Sequence, residues 1–156
     1  MEILSRNWGW LVLPSEVAAA HRRAAFSRLV PIGRTLYSAI FILASFGHFA
    51  RPTIEYAAHQ GVPFAGALVP ASGLLALIGG LSVLTGYRAR VGATLLILFL
   101  IPVTFAMHAF WAVSDPHMAE LQRAMFFKNV SLVGAALLLI HFGAGPYSLD
   151  ARKEPQ

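Results

Sequence analysis

No cysteine occurs in this 156-residue chain. That excludes disulfides, dithiol redox chemistry, thiolate metal sites and iron–sulfur ligation. Charge is also scarce: 12% of the residues are Asp, Glu, Lys or Arg, against about 25% in an average soluble domain. Negative charge is scarcer still, with seven acids facing twelve Lys and Arg. The sequence has no GxSxG, no P-loop and no GxGxxG, so a soluble nucleotide cofactor would need another subunit. A cleavable leader is not expected, because Glu2 and Arg6 precede only a short apolar run from Trp8 to Leu13.

What fills the chain instead is apolar: 57% of it is hydrophobic. The length suits one domain. Four apolar runs cover about 29–50, 64–86, 91–113 and 126–144. Each approaches the roughly 20 residues that span a bilayer as a helix. The expected fold is therefore all-α, an integral membrane bundle of four transmembrane helices over 29–150. Residues 1–28 form a basic segment with Trp8, Trp10, Arg22 and Arg23, and 151–156 a polar tail. Pro14–Ser15–Glu16 has the form of a helix start. The first segment reads either as a short interfacial helix or as a basic tail. Net charge is +5, but the basic residues sit between apolar runs. Anionic lipid is thus the expected partner, and nucleic acid is not.

The first run carries a polar stripe. Arg34, Ser38, Phe41, Ser45 and His48 follow steps of four and three, which places them along one side of a helix. In the second run Gly66, Gly73 and Gly80 recur at heptad spacing, and Ala76 with Gly80 makes a small-xxx-small step; close helix packing is the expected reason. Pro70 and Pro102 interrupt the second and third runs, so each helix should kink and free a carbonyl. Residues 51–63 and 114–125 read as the longer connections, both on one side. Tyr87–Arg90 is a short turn on the other. Lys and Arg crowd the side that holds the termini, which predicts cytoplasmic termini in a bacterial inner membrane.

This topology places His48, His108, Lys128 and Asn129 at one depth, near the outer surface, and Arg34 and His141 at the inner one. An ionisable group at the centre of a membrane helix costs about 2.5–3.5 kcal/mol on insertion scales. The four outer groups read as a polar pocket between the first, third and fourth spans. His48 and His108 would move protons, Lys128 would hold an anionic oxygen, and Asn129 would donate a hydrogen bond. Phe105 and Trp111 would supply an apolar wall. A flat redox ring with carbonyl oxygens, such as a quinone, suits such a pocket. The plainer reading has Lys128 snorkelling, Trp111 in the aromatic belt and each histidine bonding a neighbouring helix. Two histidines on different helices also suit axial haem ligation, but no spacing favours it. No metal site is expected, because Asp115, His117, His108 and Glu120 lack a zinc spacing. Arg34 is expected to be structural, paired with the Gly145–Asp150 tail, with Asp150 as the candidate partner.

Several short pieces occur together in a characteristic order: Gly33–Arg34, Gly47, Gly61–Val62–Pro63, Leu77–Ile78–Gly79–Gly80, and Gly86 with Arg88. His108 with Phe110, Phe127–Lys128–Asn129, and Gly143–Ala144–Gly145–Pro146–Tyr147–Ser148–Leu149–Asp150 complete it. In these pieces, over roughly 30–150, the chain resembles the DoxX-like family of small four-helix membrane proteins. It departs from that pattern at Gly47–His48–Phe49, where a Lys is common. The resemblance implies a membrane subunit of a quinone-linked oxidoreductase, thiosulfate:quinone systems among them, working with a soluble or membrane redox partner. It equally implies a non-catalytic anchor or assembly factor for a redox or stress-response complex. In that alternative the glycine-rich second helix and the basic surface are docking faces for a partner or a second copy. A small transporter with the Arg34–His48 stripe along its path is a third reading.

Overall fold

The computed structural model describes residues 26–152. The segment expected to lie at the membrane surface falls almost wholly outside this range. Among the described residues every regular element is helical: α1 (Leu29–Gly47), α2 (Arg51–His59), α3 (Ala65–Thr85), α4 (Ala89–Met107) and α5 (Pro116–Phe142), with one 3-10 turn at Phe110–Ala112. Four of these, α1, α3, α4 with its 3-10 extension, and α5, are long and apolar enough to cross a membrane. The protein is an all-α integral membrane protein.

Two elements lie where the sequence suggests connections. α2 occupies most of the first connection, residues 51–63. Pro52 sits in its first turn, where its missing N–H costs nothing. α5 begins at Pro116, ten residues before the apolar run. The Asp115 carboxylate caps it by accepting from the Met118 N–H at 2.8 Å, and Pro116 takes the first helical position. Both segments carry charges, so hydropathy conceals helices that caps and prolines reveal.

Packing runs in the order α1, α3, α4, α5, with α2 laid on α3. The core is shared by Phe41, Ala76, Val83, Ala93, Leu96, Phe99, Leu100 and Ala136, one or more from each span. The buried residues of α1 are Arg34, Ser38, Phe41 and Ser45, the polar stripe of the sequence. Ser38 and Ser45 give their hydroxyls to the Arg34 and Ile42 carbonyls of their own helix, so they leave no chain of polar groups toward His48. α3 and α4 meet through Gly79 and Gly92. A Cβ on Gly79 would lie 2.8 Å from Leu96 and 3.0 Å from the Gly92 carbonyl. One on Gly92 would lie 2.4 Å from Ser82 Oγ. Small residues let the two backbones touch. Of the heptad glycines, Gly73 and Gly80 face α1, whereas a Cβ on Gly66 would meet nothing.

At the end opposite α2, the turn after α5 is tied to the other helices. Arg34, 4% exposed, donates from Nη1 to the Ala144 carbonyl at 2.7 Å and from Nη2 to the Tyr147 carbonyl at 2.6 Å. Arg34 therefore pairs with the tail as expected, but through carbonyls rather than through an ion pair with Asp150. Asp150 instead accepts from the Arg88 and Ala89 N–H groups at 2.8 and 3.1 Å, capping α4. The reason is geometric: the tail carbonyls reach the guanidinium, while the carboxylate reaches an uncapped helix start. Leu149 and Asp150 also donate backbone N–H groups to the Thr85 and Gly86 carbonyls. Gly86 lies in the left-handed region, and a Cβ there would lie 2.4 Å from Ser148 and 2.5 Å from Arg34.

Gly79→Ala should destabilise the bundle by about 1–3 kcal/mol, because the contact has no room to relax. Gly134→Ala on α5, where a Cβ meets nothing, should change stability by less than about 0.5 kcal/mol. Unfolding in mixed micelles by added dodecyl sulfate measures both. Arg34→Ala strands two tail carbonyls and should cost about 2–5 kcal/mol. Limited proteolysis should then cut within 143–152 sooner than in the wild type; an unchanged cleavage rate would contradict the anchoring role of Arg34.

Candidate functional site

The topology puts His48, His108 and Lys128 at the same end of the bundle, yet they do not share one pocket. His48 follows the last turn of α1. Its Nδ1 lies 2.9 Å from the Ala44 carbonyl. A carbonyl only accepts, so Nδ1 carries the proton and, in the neutral ring, Nε2 keeps its lone pair. Phe99 supports the imidazole edge-on at 5.5 Å between ring centres. Gly73 lets it approach, since a Cβ there would lie 2.7 Å from His48 Cβ.

His48 lines a cavity of about 290 Å³ between the end of α1 and helices α2, α3 and α4. Its wall is mostly apolar. Val69, Phe99 and Met107 belong to it, and Leu68 and Leu98 stand at its exposed margin. These two leucines lie within membrane spans, so the mouth faces lipid rather than water. Two polar groups on the wall keep hydrogen-bonding capacity among the described residues. One is His48 Nε2; the other is the hydroxyl of Thr53 on α2. Ser72, also on the wall, spends its hydroxyl on the Val69 carbonyl at 2.7 Å. Pro102 lies on the wall with Leu98, and as a proline it offers the Leu98 carbonyl no N–H. The volume lies at the lower edge of ligand pockets, about 300–1,000 Å³, and fits a single ring rather than a large cofactor.

The other candidates lie elsewhere. Half-buried His108 ends α4, and its Nδ1 donates to Gln122 Oε1 on α5 at 2.7 Å. Lys128 is exposed, with Nζ 3.6 Å from Met125 Sδ. Asn129, next to it, is 5% exposed, and its side chain has no hydrogen-bond partner among the described residues. Phe105 and Trp111 do come together, at 6.5 Å. They do so within an outward aromatic cluster centred on Phe126, which meets Phe105, Phe110, Trp111 and Phe127 at 5.5–5.7 Å. Arg123 lies over Phe110 at 5.3 Å. Such a group has the character of an interfacial belt. The pocket expected between the first, third and fourth spans is thus replaced by one between α2, α3 and α4. Of its expected members only His48 lines it. Thr53 is not legible as a site residue, because α2 reads as loop. Its signal was the Thr53–Ala57 step of four following Pro52.

Comparison with known proteins agrees with the architecture. The DoxX family model matches residues 29–109, and the SURF4 family model matches residues 71–155. The inner membrane protein YqjF of Escherichia coli is 32% identical over 123 residues, 78% of this chain and 88% of that protein. The inner membrane protein YphA of the same organism is 29% identical over 135 residues, 83% of this chain and 93% of that protein. The Surfeit locus protein 4 homolog of Schizosaccharomyces pombe is 34% identical over 74 residues, 46% of this chain but 24% of that protein. No solved structure matches. A family match that takes in α1, α3 and α4, with a relative alike over most of both lengths, makes this chain a member of the DoxX family of membrane proteins.

Proposed function

We propose that the protein is the membrane subunit of a quinone-linked redox system, and that it holds the quinone or quinol head group in the cavity beside His48. The observation that carries this reading is the pairing of an apolar cavity, open to lipid, with two unspent polar groups, His48 Nε2 and the Thr53 hydroxyl. A lipid-soluble ring bearing oxygens needs just that combination: apolar walls for the ring and one or two polar groups for orientation. In the neutral imidazole Nε2 accepts a hydrogen bond, as a quinol hydroxyl would offer; once protonated it donates to a quinone carbonyl. Thr53 can do either. Phe99 and Pro102 bound the ring faces. Electrons would pass to a redox partner subunit. The concentration of Arg34, Arg88, Arg90 and Arg152 at the opposite end supports cytoplasmic termini, which turns the cavity toward the outer half of the membrane.

The test is binding of a short-chain photoreactive quinone to the protein in lipid nanodiscs. Labelled peptides should come from residues 48–75 and 98–107. His48→Ala should weaken binding about tenfold, the worth of one hydrogen bond. Ala71→Phe, which fills the cavity from α3, should abolish it, and Lys128→Ala should leave it unchanged. Wild-type affinity in both His48→Ala and Ala71→Phe would remove this site. Absence of any binding by the intact protein would leave the anchor reading in its place.

A further inference from the structure

We propose that the end of the bundle opposite the His48 cavity carries a site for the phosphate of an anionic phospholipid, with Arg90 as its principal ligand. A second cavity lies there, about 610 Å³, between the start of α4 and the turn that follows α5. Arg90, Phe142, Gly143, Pro146, Asp150 and Ala151 are among its lining residues.

The charge state of this cavity follows from its hydrogen bonds. Arg90 is exposed, and its side chain's one hydrogen bond among the described residues is a long one, from Nη2 to the His141 carbonyl at 3.5 Å. A guanidinium offers five N–H donors in a planar fork, so nearly all of its capacity is unspent. Asp150 is the acid on the wall, and both of its oxygens are already engaged by the Arg88 and Ala89 N–H groups. It is committed to capping α4 and forms no ion pair with Arg90, though its single negative charge stays on the wall. Among the described residues the ion pair is Arg51–Glu55, at the other end of the molecule. Among the described residues Arg28, Arg34, Arg88, Arg90 and Arg152 lie at this end, with Asp150 as the acid there. The local field is strongly positive.

Shape adds the second half of the ligand. Gly143 turns the chain with a positive φ, and a Cβ there would lie 3.5 Å from Arg90 Nε. The tail thus passes close beneath the guanidinium and leaves its outer edge open. Phe142, 73% exposed, lines the same cavity, and Leu138, 60% exposed, lies one helical turn away on the same side of α5. A cationic fork beside an apolar strip that runs into the bilayer matches a phosphate joined to an acyl chain. Basic pockets between membrane helices bind such lipids by phosphate contacts. The strip favours a lipid over free phosphate.

Native mass spectrometry of the delipidated full chain in mild detergent decides this. Phosphatidylglycerol, phosphatidylcholine with the same acyl chains, and inorganic phosphate are titrated separately. Wild type should bind the first lipid about tenfold more tightly than the second, because both offer the phosphate but the choline cation of the second is repelled by the arginines around it. Inorganic phosphate should not displace it. Arg90→Gln should erase the preference, while Arg123→Gln, at the other end, should retain it. Ala151→Glu, which adds a carboxylate to the wall without touching Arg90, should also erase it and serves if Arg90→Gln fails to fold. Equal affinity for the two lipids would overturn the proposal. So would displacement by inorganic phosphate, or equal loss in Arg90→Gln and Arg123→Gln.

Discussion

A buried guanidinium organises this protein. Arg34 sits a little over one turn into the first membrane helix, where an unpaired charge would be expelled. It is retained because the last turn of the chain brings two carbonyls to it. The exchange is mutual. Those carbonyls follow the end of α5, where helical donors have run out, and would otherwise lie unpartnered beneath α1. Because the tail is held there, Asp150 reaches the start of α4, and the Leu149 and Asp150 N–H groups reach the end of α3. One side chain from the start of the bundle thus fixes a segment more than a hundred residues away, and through it the ends of all four spans.

The opposite end is built on different terms. The spans are joined there by the short α2 and by a broken passage from α4 into α5. The Ala57–Ala65–Val69 cluster is small, and beside it lies the cavity that holds His48. An end tied by hydrogen bonds through Arg34 and Asp150, and an end held mainly by small apolar contacts, make a frame in which a ligand beside His48 can be accommodated without loosening the bundle. The glycine contact between α3 and α4 serves the same division: it closes the helices near their shared turn and leaves them free to part toward Pro102.

How far the sequence reveals this depends on the kind of information it carries. Long apolar runs declare the spans, and the polar stripe of α1 declares its buried face, because spacing alone sets which residues share a side. Depth is legible in the same way, from topology and the order of residues along a span. Azimuth on a uniformly apolar helix is not. Lys128 and Asn129 share a depth but point about 100° apart, so one is exposed and the other buried; nothing in α5 announced which. The same blindness placed Phe105 and Trp111 on a pocket wall when they stand on an outward aromatic cluster. α2 was obscured for another reason. Its nine residues are too polar for a span and too few for a clear period, though Pro52 marked its start.

The length of α5 has a consequence of its own. Twenty-seven residues rise about 40 Å, some 10 Å more than a hydrocarbon core of about 30 Å. Unless strongly tilted, the helix must lift its first two turns, with Glu120, Gln122 and Arg123, into the headgroup layer. There, with Gln122 bonded to His108, they form a polar canopy over that end of the bundle. Anything dissolved in water meets that canopy first, whereas anything dissolved in the bilayer meets the open side between Leu68 and Leu98. The fold therefore sorts its visitors by solubility before any side chain reads their chemistry.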